Sequence, residues 1–254
     1  MAATVYFLDP LPAPGQRGVL DGVEGRHAAT VRRTVAGERL VLSDGRGAFA
    51  AVDVTGVEKN RLEFLVDSIT AVDPPTPSVM LVQALPKSER SELAVETATE
   101  AGVDAIVPWQ SLRCVARWDG GKADKGVAKW RNAVAAAAKQ SRRAFLPPVS
   151  DLADTRAVLG LVAGVVERGG LAVALHESAS EHFASLPFRD AGEVLLIVGP
   201  EGGLDDAEID KLTAAGAVTA LLGPTVLRTS TAAAVALGAL GALTDRWSAA
   251  PPTV

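Results

Sequence analysis

Apolar positions along this chain follow two rhythms that change near residue 73. In residues 1–72, short β-prone runs stand at 5–8, 39–43, 48–54 and 61–69. Polar turns, Asp44-Gly45-Arg46-Gly47 and Lys59-Asn60, separate the last three. Short strands joined by such turns predict a small β-barrel. Asp73-Pro74-Pro75-Thr76-Pro77 then breaks any element and reads as a stiff linker. In residues 78–254 apolar strands at 79–84, 105–108, 171–175 and 194–198 alternate with helices, among them 88–101 and an Ala-rich 127–142. That βαβ rhythm predicts an α/β fold with a parallel sheet. No repeat is present, and the tail at 249–254 is expected to fray.

Two segments of the second region share one grammar: an apolar strand, a tight Gly/Pro turn, then a helix start. In EVLLIVGPEGGL (193–204), residues 194–198 form a five-residue apolar run of the kind buried on both faces of a sheet. Asp205 with Glu208 then predicts a capping box. In LLGPTVLRTSTA (221–232), a strand at 217–222 ends at Gly223-Pro224, and Thr229, Ser230 or Thr231 is placed to cap a helix running to about Asp245. Gly-rich loops leaving the carboxyl ends of strands are where open α/β sheets bind ligands. Adjacent loops of this type offer backbone N–H and C=O groups to a flat polar ligand such as an adenine ring, and glycines allow close approach.

Composition narrows the class. The single Cys114 excludes an intrachain disulfide and a Cys-based zinc site, and it fits a reducing, cytoplasmic setting and a structural role. His27, His176 and His182 are scattered, so no metal site is expected. No stretch reads as a signal peptide or membrane span. The net charge of −5 argues against a strongly basic nucleic-acid binder, yet the charge is uneven. Residues 87–143 hold 11 basic and 7 acidic side chains, a local excess able to meet phosphate within a Debye length of about 8 Å.

Neither GxGxxG after a strand nor a P-loop is present, which excludes the usual dinucleotide and nucleotide signatures. Arg228, at the mouth of the second loop, reads either as an ion pair with Glu201 or as a fixed charge aimed at developing negative charge. Glu201 reads either as a carboxylate bonding turn amides or as a participant in the chemistry. Lys139-Gln140-Ser141-Arg142-Arg143 ends a helix, where cations complement the dipole and also suit phosphates. Lys87 with Arg90, and Arg32 with Arg33 beside His27, extend the basic set; together they favour RNA over a merely solvated surface.

The ordered set His27…Val31-Arg32, Lys87-x-x-Arg90-x-Glu92…Thr99-Glu100-Ala101-Gly102, Gln140-Ser141-Arg142-Arg143, Gly199-Pro200-Glu201-Gly202-Gly203 and Leu222-Gly223-x-x-Val226-Leu227-Arg228 resembles the small-subunit (16S) ribosomal RNA uridine-N3 methyltransferases of the SPOUT superfamily. The likeness spans nearly the whole chain. It implies a PUA-like RNA-binding barrel over residues 1–72 and a SPOUT domain with a C-terminal trefoil knot over 78–254. It also implies S-adenosylmethionine as cofactor, small-subunit ribosomal RNA as partner, and a homodimer serving ribosome biogenesis. The cofactor would lie between Gly199, Pro200, Glu201, Gly202 and Gly203, the loop carrying Leu222, Gly223, Val226 and Leu227, and the strand end Leu175-His176-Glu177. Arg228 would be catalytic, and His27, Arg32, Arg33, Lys87, Arg90, Gln140, Arg142 and Arg143 would contact RNA. Where the family often reads RTETA, this chain has Arg228-Thr229-Ser230-Thr231-Ala232, so Ser230 brings no carboxylate. A non-catalytic RNA-binding assembly factor and a SPOUT enzyme acting on another base or a ribose hydroxyl are the alternatives. Residues 231–243 carry no charge, so an outward face of that helix calls for a cover, which a second copy would provide.

Overall fold

The computed structural model describes residues 5–248, and the tail expected to fray lies outside them. The chain forms two compact units, one holding the described residues up to 74 together with Ala138–Leu146, the other holding 75–137 and 147–248.

The first unit is a five-stranded sheet of β1 (Val5–Phe7), β2 (Arg17–Leu20), β3 (Arg39–Ser43), β4 (Ala48–Glu58) and β5 (Arg61–Ala71), with helix α1 (Gly22–Arg26) continuing as a wider turn through Val31. Its order is β1-β3-β4-β5-β2, with β1 parallel to β3 and the other pairs antiparallel. Leu62, Phe64 and Val66 alternate inward along β5 with the period of two that a half-buried strand requires. Register shifts between Ala51 and Val52 and between Val54 and Gly56 mark bulges, which bend strands. Tyr6 of β1 and Leu20 of β2, from the two ends of the sheet, share one core with Leu40, Val52 and Phe64, so the sheet curls around it. Strand β2 and helix α1 have no counterpart in the apolar pattern. Gly18 is the reason for the first omission: a Cβ there would lie 2.4 Å from the Phe64 ring.

Residues 138–146, expected in the second domain, cluster with this unit instead. Arg46 and Phe145 form a β-bridge, and Gly47, at φ +112°, leaves room for the Phe145 ring 2.7 Å from where a Cβ would stand. Lys139 Nζ pairs with Glu24 at 2.6 Å and lies 4.6 Å from the centre of the Tyr6 ring.

The second unit is wholly parallel. Strands β6 (Ser78–Ala84), β7 (Ala105–Trp109), β8 (Leu171–Leu175), β9 (Glu193–Val198) and β10 (Val218–Ala220) lie in the order β10-β8-β9-β6-β7. Helices α2 (Ser91–Glu100), α3 (Gly121–Gln140), α4 (Thr155–Glu167), α5 (Asp206–Ala214) and α6 (Thr229–Leu243) supply the crossovers and cover. Val194 to Val198 are all buried, as a strand covered on both faces must be. Helix α4, absent from the predicted elements, buries Val158, Val162 and Val165 at helical spacing and is capped by Asp154 accepting from Ala157 N–H. Near the end of the described chain Arg246, 5% exposed on its side chain, donates to Asp104 at 2.8 Å and to the carbonyls of Pro77 and Gly102.

Two expected caps differ. Asp205 caps α5 by accepting from Ala207 N–H, but Glu208 does not reach back to complete a box; it is fully buried and turns toward Leu112 and Thr155. Helix α6 has Arg228 at its N-cap with no side-chain cap, so none of Thr229, Ser230 and Thr231 serves that role. Cys114 is buried against Ser111, and burial pushes its thiol pKa up, in line with a structural part.

Candidate functional site

Parallel strands place their carboxyl ends on one edge, and the chain after β8, β9 and β10 encloses a cavity of about 530 Å³ there. Its walls hold Leu175, His176 and Glu177 after β8, Gly199 to Gly203 after β9, and Leu222, Gly223, Val226, Leu227 and Arg228 after β10. Every residue assigned to the cofactor from the resemblance, and Arg228, thus stands around one space of ligand size.

The two principal loops differ in how they are held. The loop after β9 is braced on several sides. Glu201 Oε1 accepts from Lys87 N–H at 3.0 Å, and Gly203 N–H donates to the Pro200 carbonyl at 2.9 Å. Arg113 donates to the Leu204 carbonyl at 3.2 Å and pairs with Asp205 at 3.0 Å. Buried Glu208 in turn accepts from Leu112 N–H and the Thr155 hydroxyl, both at 3.0 Å, and so fixes the chain that carries Arg113. Arg113 carries no motif signal and Glu208 only that of a capping box; pairing over so long a sequence separation is invisible before folding.

The loop after β10 is the opposite case. Among the described residues, no backbone N–H or C=O of residues 222–227 finds a hydrogen-bond partner in the protein. Backbone groups left unpaired beside a cavity are available to a ligand. Arg228 ends this loop, its carbonyl fixed by Thr231 N–H (2.9 Å), Ala232 N–H (3.0 Å) and the Thr231 hydroxyl (3.1 Å). Its side chain is exposed and makes no ion pair among the described residues; Glu201 is bound to the Lys87 amide, not to Arg228.

Gly199 and Gly202 also serve the packing of the loop itself. A Cβ on Gly199 would stand 3.0 Å from Leu204 Cγ, and one on Gly202 would stand 3.3 Å from Arg113 Cβ. Both therefore let the loop pack on its own supports, and a valine at either position disturbs the loop before it meets any ligand. Gly203 is required by its backbone, at φ +71°. Gly223 has nothing within 4 Å of a Cβ and borders the cavity.

The basic residues fall into two groups. His27, Arg32, Arg33, Gln140, Arg142 and Arg143 all belong to the first unit, which brings together segments a hundred residues apart in sequence. His27 lies 5.7 Å from Tyr6, ring centre to ring centre. Arg32 is held by Glu38 at 2.5 Å. Arg33 and Arg142 are exposed, have no carboxylate partner among the described residues, and adopt left-handed backbone at φ 59° and 55°. Non-glycine residues in that region carry strain and concentrate at functional surfaces. Lys87 and Arg90 stand instead in the second unit. Among the described residues no cluster of His, Cys, Asp or Glu is arranged to hold a metal.

A family model described as "RNA methyltransferase PUA domain" matches residues 20–67, and one described as "RNA methyltransferase domain" matches residues 73–241. Fold and site thus define the class of RNA methyltransferases with an appended PUA domain. A protein of Mycobacterium tuberculosis named ribosomal RNA small subunit methyltransferase E is 52% identical over 98% of this chain and 95% of its own. The Bacillus subtilis protein of that name is 31% identical over 89% and 90%. A crystal structure of the Neisseria gonorrhoeae enzyme of that name, bound to S-adenosyl methionine, superposes with a TM-score of 0.86 at 27% identity, covering 96% of this chain and 98% of the other. A putative methyltransferase from Legionella pneumophila, in complex with the same cofactor, gives 0.84 at 30% identity over 96% and 99%. The chain belongs to the ribosomal RNA small subunit methyltransferase E family.

The glycine geometry gives a stability test. Gly203→Ala is expected to lower unfolding free energy by roughly 1–2 kcal/mol, the cost of placing a Cβ in left-handed backbone. Gly223→Ala is expected to stay within about 0.5 kcal/mol of the parent in urea unfolding, as an unobstructed surface change does.

Proposed function

We propose that this protein transfers the methyl group of S-adenosylmethionine to N3 of a uridine in small-subunit ribosomal RNA, with Arg228 as the catalytic residue. The observation that carries the reading is the cavity at the carboxyl edge of the parallel sheet, where unpaired backbone of residues 222–227 and one unpaired arginine face the same space. The residues present fit the cofactor. The volume suits a ligand of that size, residues 222–227 offer donors and acceptors for an adenine edge, and Leu175, Leu222 and Leu227 supply apolar wall. S-adenosylmethionine supplies an electrophilic methyl group on a sulfonium.

Uridine N3 is largely protonated at neutral pH, so its nucleophilic form is the anion. A guanidinium beside O2 or O4 stabilises that anion and lowers the pKa of N3. Arg228 suits the task because its backbone is fixed at the helix start while its charge is paired with no carboxylate among the described residues. A preorganised charge of this kind acts mainly in the transition state. Ser230, buried without a partner for its hydroxyl among the described residues, is given no acid or base role. The target base must be unstacked to reach such a cavity.

Single-turnover methylation of small-subunit RNA, read as N3-methyluridine after nuclease digestion and mass spectrometry, tests this directly. Arg228→Ala is expected to lower the rate by about 10²–10³, with a smaller effect on binding. The deficit should shrink as pH rises toward the N3 pKa, because more of the uridine is then ionised without help. A folded variant with the parent rate, or a product methylated on ribose, contradicts the assignment.

RNA binding is assigned to His27, Arg32, Arg33, Gln140, Arg142 and Arg143 in the first unit and to Lys87 and Arg90 in the second. Arg33→Gly and Arg142→Gly separate function from fold. Each relieves left-handed strain and is expected to hold or raise the unfolding temperature, while lowering the salt slope of RNA binding by roughly 0.7–0.9. Arg32→Ala is expected to do less, since Glu38 already shares its charge. Unchanged slopes for the two glycine variants would make these arginines ordinary surface.

The reading includes a C-terminal trefoil knot and a homodimer in the cytoplasm. Most of α6 is already buried, with Ala232, Ala233, Ala236, Leu237 and Leu240 inside, so the face left for a partner is narrower than its uncharged sequence suggests. Val235, 46% exposed, Val226, 77%, and Trp247, 57%, remain uncovered. Light scattering at micromolar concentration is expected to give twice the chain mass; a monomer would contradict the dimer.

A further inference from the structure

A second cavity, of about 630 Å³, opens in the same unit beside the start of α3. Its rim holds five cations, Lys87, Arg117, Lys122, Lys125 and Lys129, against two carboxylates, Glu89 and Glu92, in a chain whose net charge is −5. Lys122, Lys125 and Lys129, spaced by three and four residues, share one face of α3. None of the four lysines has a carboxylate partner among the described residues, whereas Arg113, Arg131, Arg168 and Arg246 of the same unit all do. Four ammonium groups on one rim that outnumber its two carboxylates and form no ion pair among the described residues repel one another, an arrangement that a polyanion relieves.

The wall of this cleft is aromatic. Trp118 is half-buried, and Gly126 makes its seat: a Cβ there would lie 2.6 Å from the indole ring. Behind it Trp130 meets Trp118 edge-on at 5.3 Å and is anchored by donating its indole N–H to the Ser91 hydroxyl at 2.8 Å. Trp118 N–H donates to Gln110 Oε1 at 2.8 Å, which fixes the backbone from which the ring projects. A rigid, partly open indole beside a row of free cations is the pairing that single-stranded nucleic acid uses, bases stacking on the ring while phosphates meet the charges.

This cleft is also joined to the cavity of residues 199–228. The backbone N–H of Lys87 binds Glu201 of that cavity's wall, and Lys87 itself borders the cleft. Arg117 donates to the carbonyls of Ser111 and Leu112, the chain that continues into Arg113 beneath the loop after β9.

We propose that the cleft of Trp118, Arg117, Lys122, Lys125 and Lys129 binds a single-stranded stretch of the substrate RNA flanking the methylated nucleotide, with a base stacked on Trp118. The assignment rests on the methyltransferase reading above, and it adds a specificity surface distinct from the cofactor cavity and from the cations of the first unit.

The test uses the full chain with a fluorescent single-stranded fragment of small-subunit RNA, titrated by anisotropy across a range of salt. The triple change Lys122→Ala, Lys125→Ala, Lys129→Ala is expected to weaken RNA binding about tenfold or more and to lower the salt slope by roughly 2, at about 0.7 per single-strand contact. Affinity for S-adenosylmethionine should stay at the parent value. Replacing the three lysines by arginine should retain RNA affinity. Trp118→Phe should keep most of the binding and Trp118→Leu should lose about fivefold or more, with thermal unfolding confirming that both fold. Parent RNA affinity and salt slope in the triple alanine variant would overturn the proposal. So would capture of an acidic peptide that needs the three lysines while RNA binding does not. Absence of methyl transfer by the unaltered protein would instead overturn the enzymatic reading, a result the binding titration does not depend on.

Discussion

A wholly parallel sheet cannot be closed by hairpins; each strand must return through a crossover, so all carboxyl ends gather on one edge. That constraint organises the second unit. With the order β10-β8-β9-β6-β7, the chain leaving β8, β9 and β10 meets above adjacent strands, and the cavity is the space those exits leave. Its two main walls divide the work. The loop after β9 is rigid, tied to the Lys87 amide, the Arg113 guanidinium and, through buried Glu208, to Leu112 and Thr155. The loop after β10 keeps its backbone unpaired and ends in a positioned arginine. One wall holds shape, and the other holds the groups that a ligand would use.

Much of this was legible before folding because the signals are local. An unbroken apolar run such as 194–198 needs no tertiary information to read as a doubly buried strand, and the Gly/Pro turns after it mark where the chain leaves the sheet. Helix α4 escapes a local reading because four valines and Gly160 and Gly164 dilute its Ala and Leu, and it is fixed by the Asp154 cap and by burial of three valines. What stayed hidden was pairing across long separations. Glu208 looked like half of a capping box, yet its carboxylate serves Leu112, 96 residues away. Residues 138–146 fall, by sequence, in the second domain and partly in its long helix, yet Phe145 finds its seat on Gly47. The packing of Gly199 on Leu204 and of Gly202 on Arg113 is likewise a contact that local sequence does not show.

Charge tells a parallel story. Composition shows an acidic chain with a basic middle, and the structure sorts the basic residues of both units into separate features. Arg32 and Lys139 are spent on Glu38 and Glu24. Arg33 and Arg142 adopt left-handed backbone in the first unit with no carboxylate partner among the described residues, and a row of lysines beside Trp118 lies in the second. On the proposed reading an RNA partner gives these cations a common purpose.

The central claim is that the unpaired backbone of residues 222–227 waits for the methyl donor. Hydrogen exchange measured residue by residue, with and without saturating S-adenosylmethionine, addresses it most directly. The amides of Leu222, Gly223, Thr225, Val226 and Leu227, having no partner among the described residues, should exchange rapidly in the free chain and be slowed together when the cofactor is added. Cofactor binding that leaves these amides unprotected, or that protects a different part of the chain alone, would contradict the account.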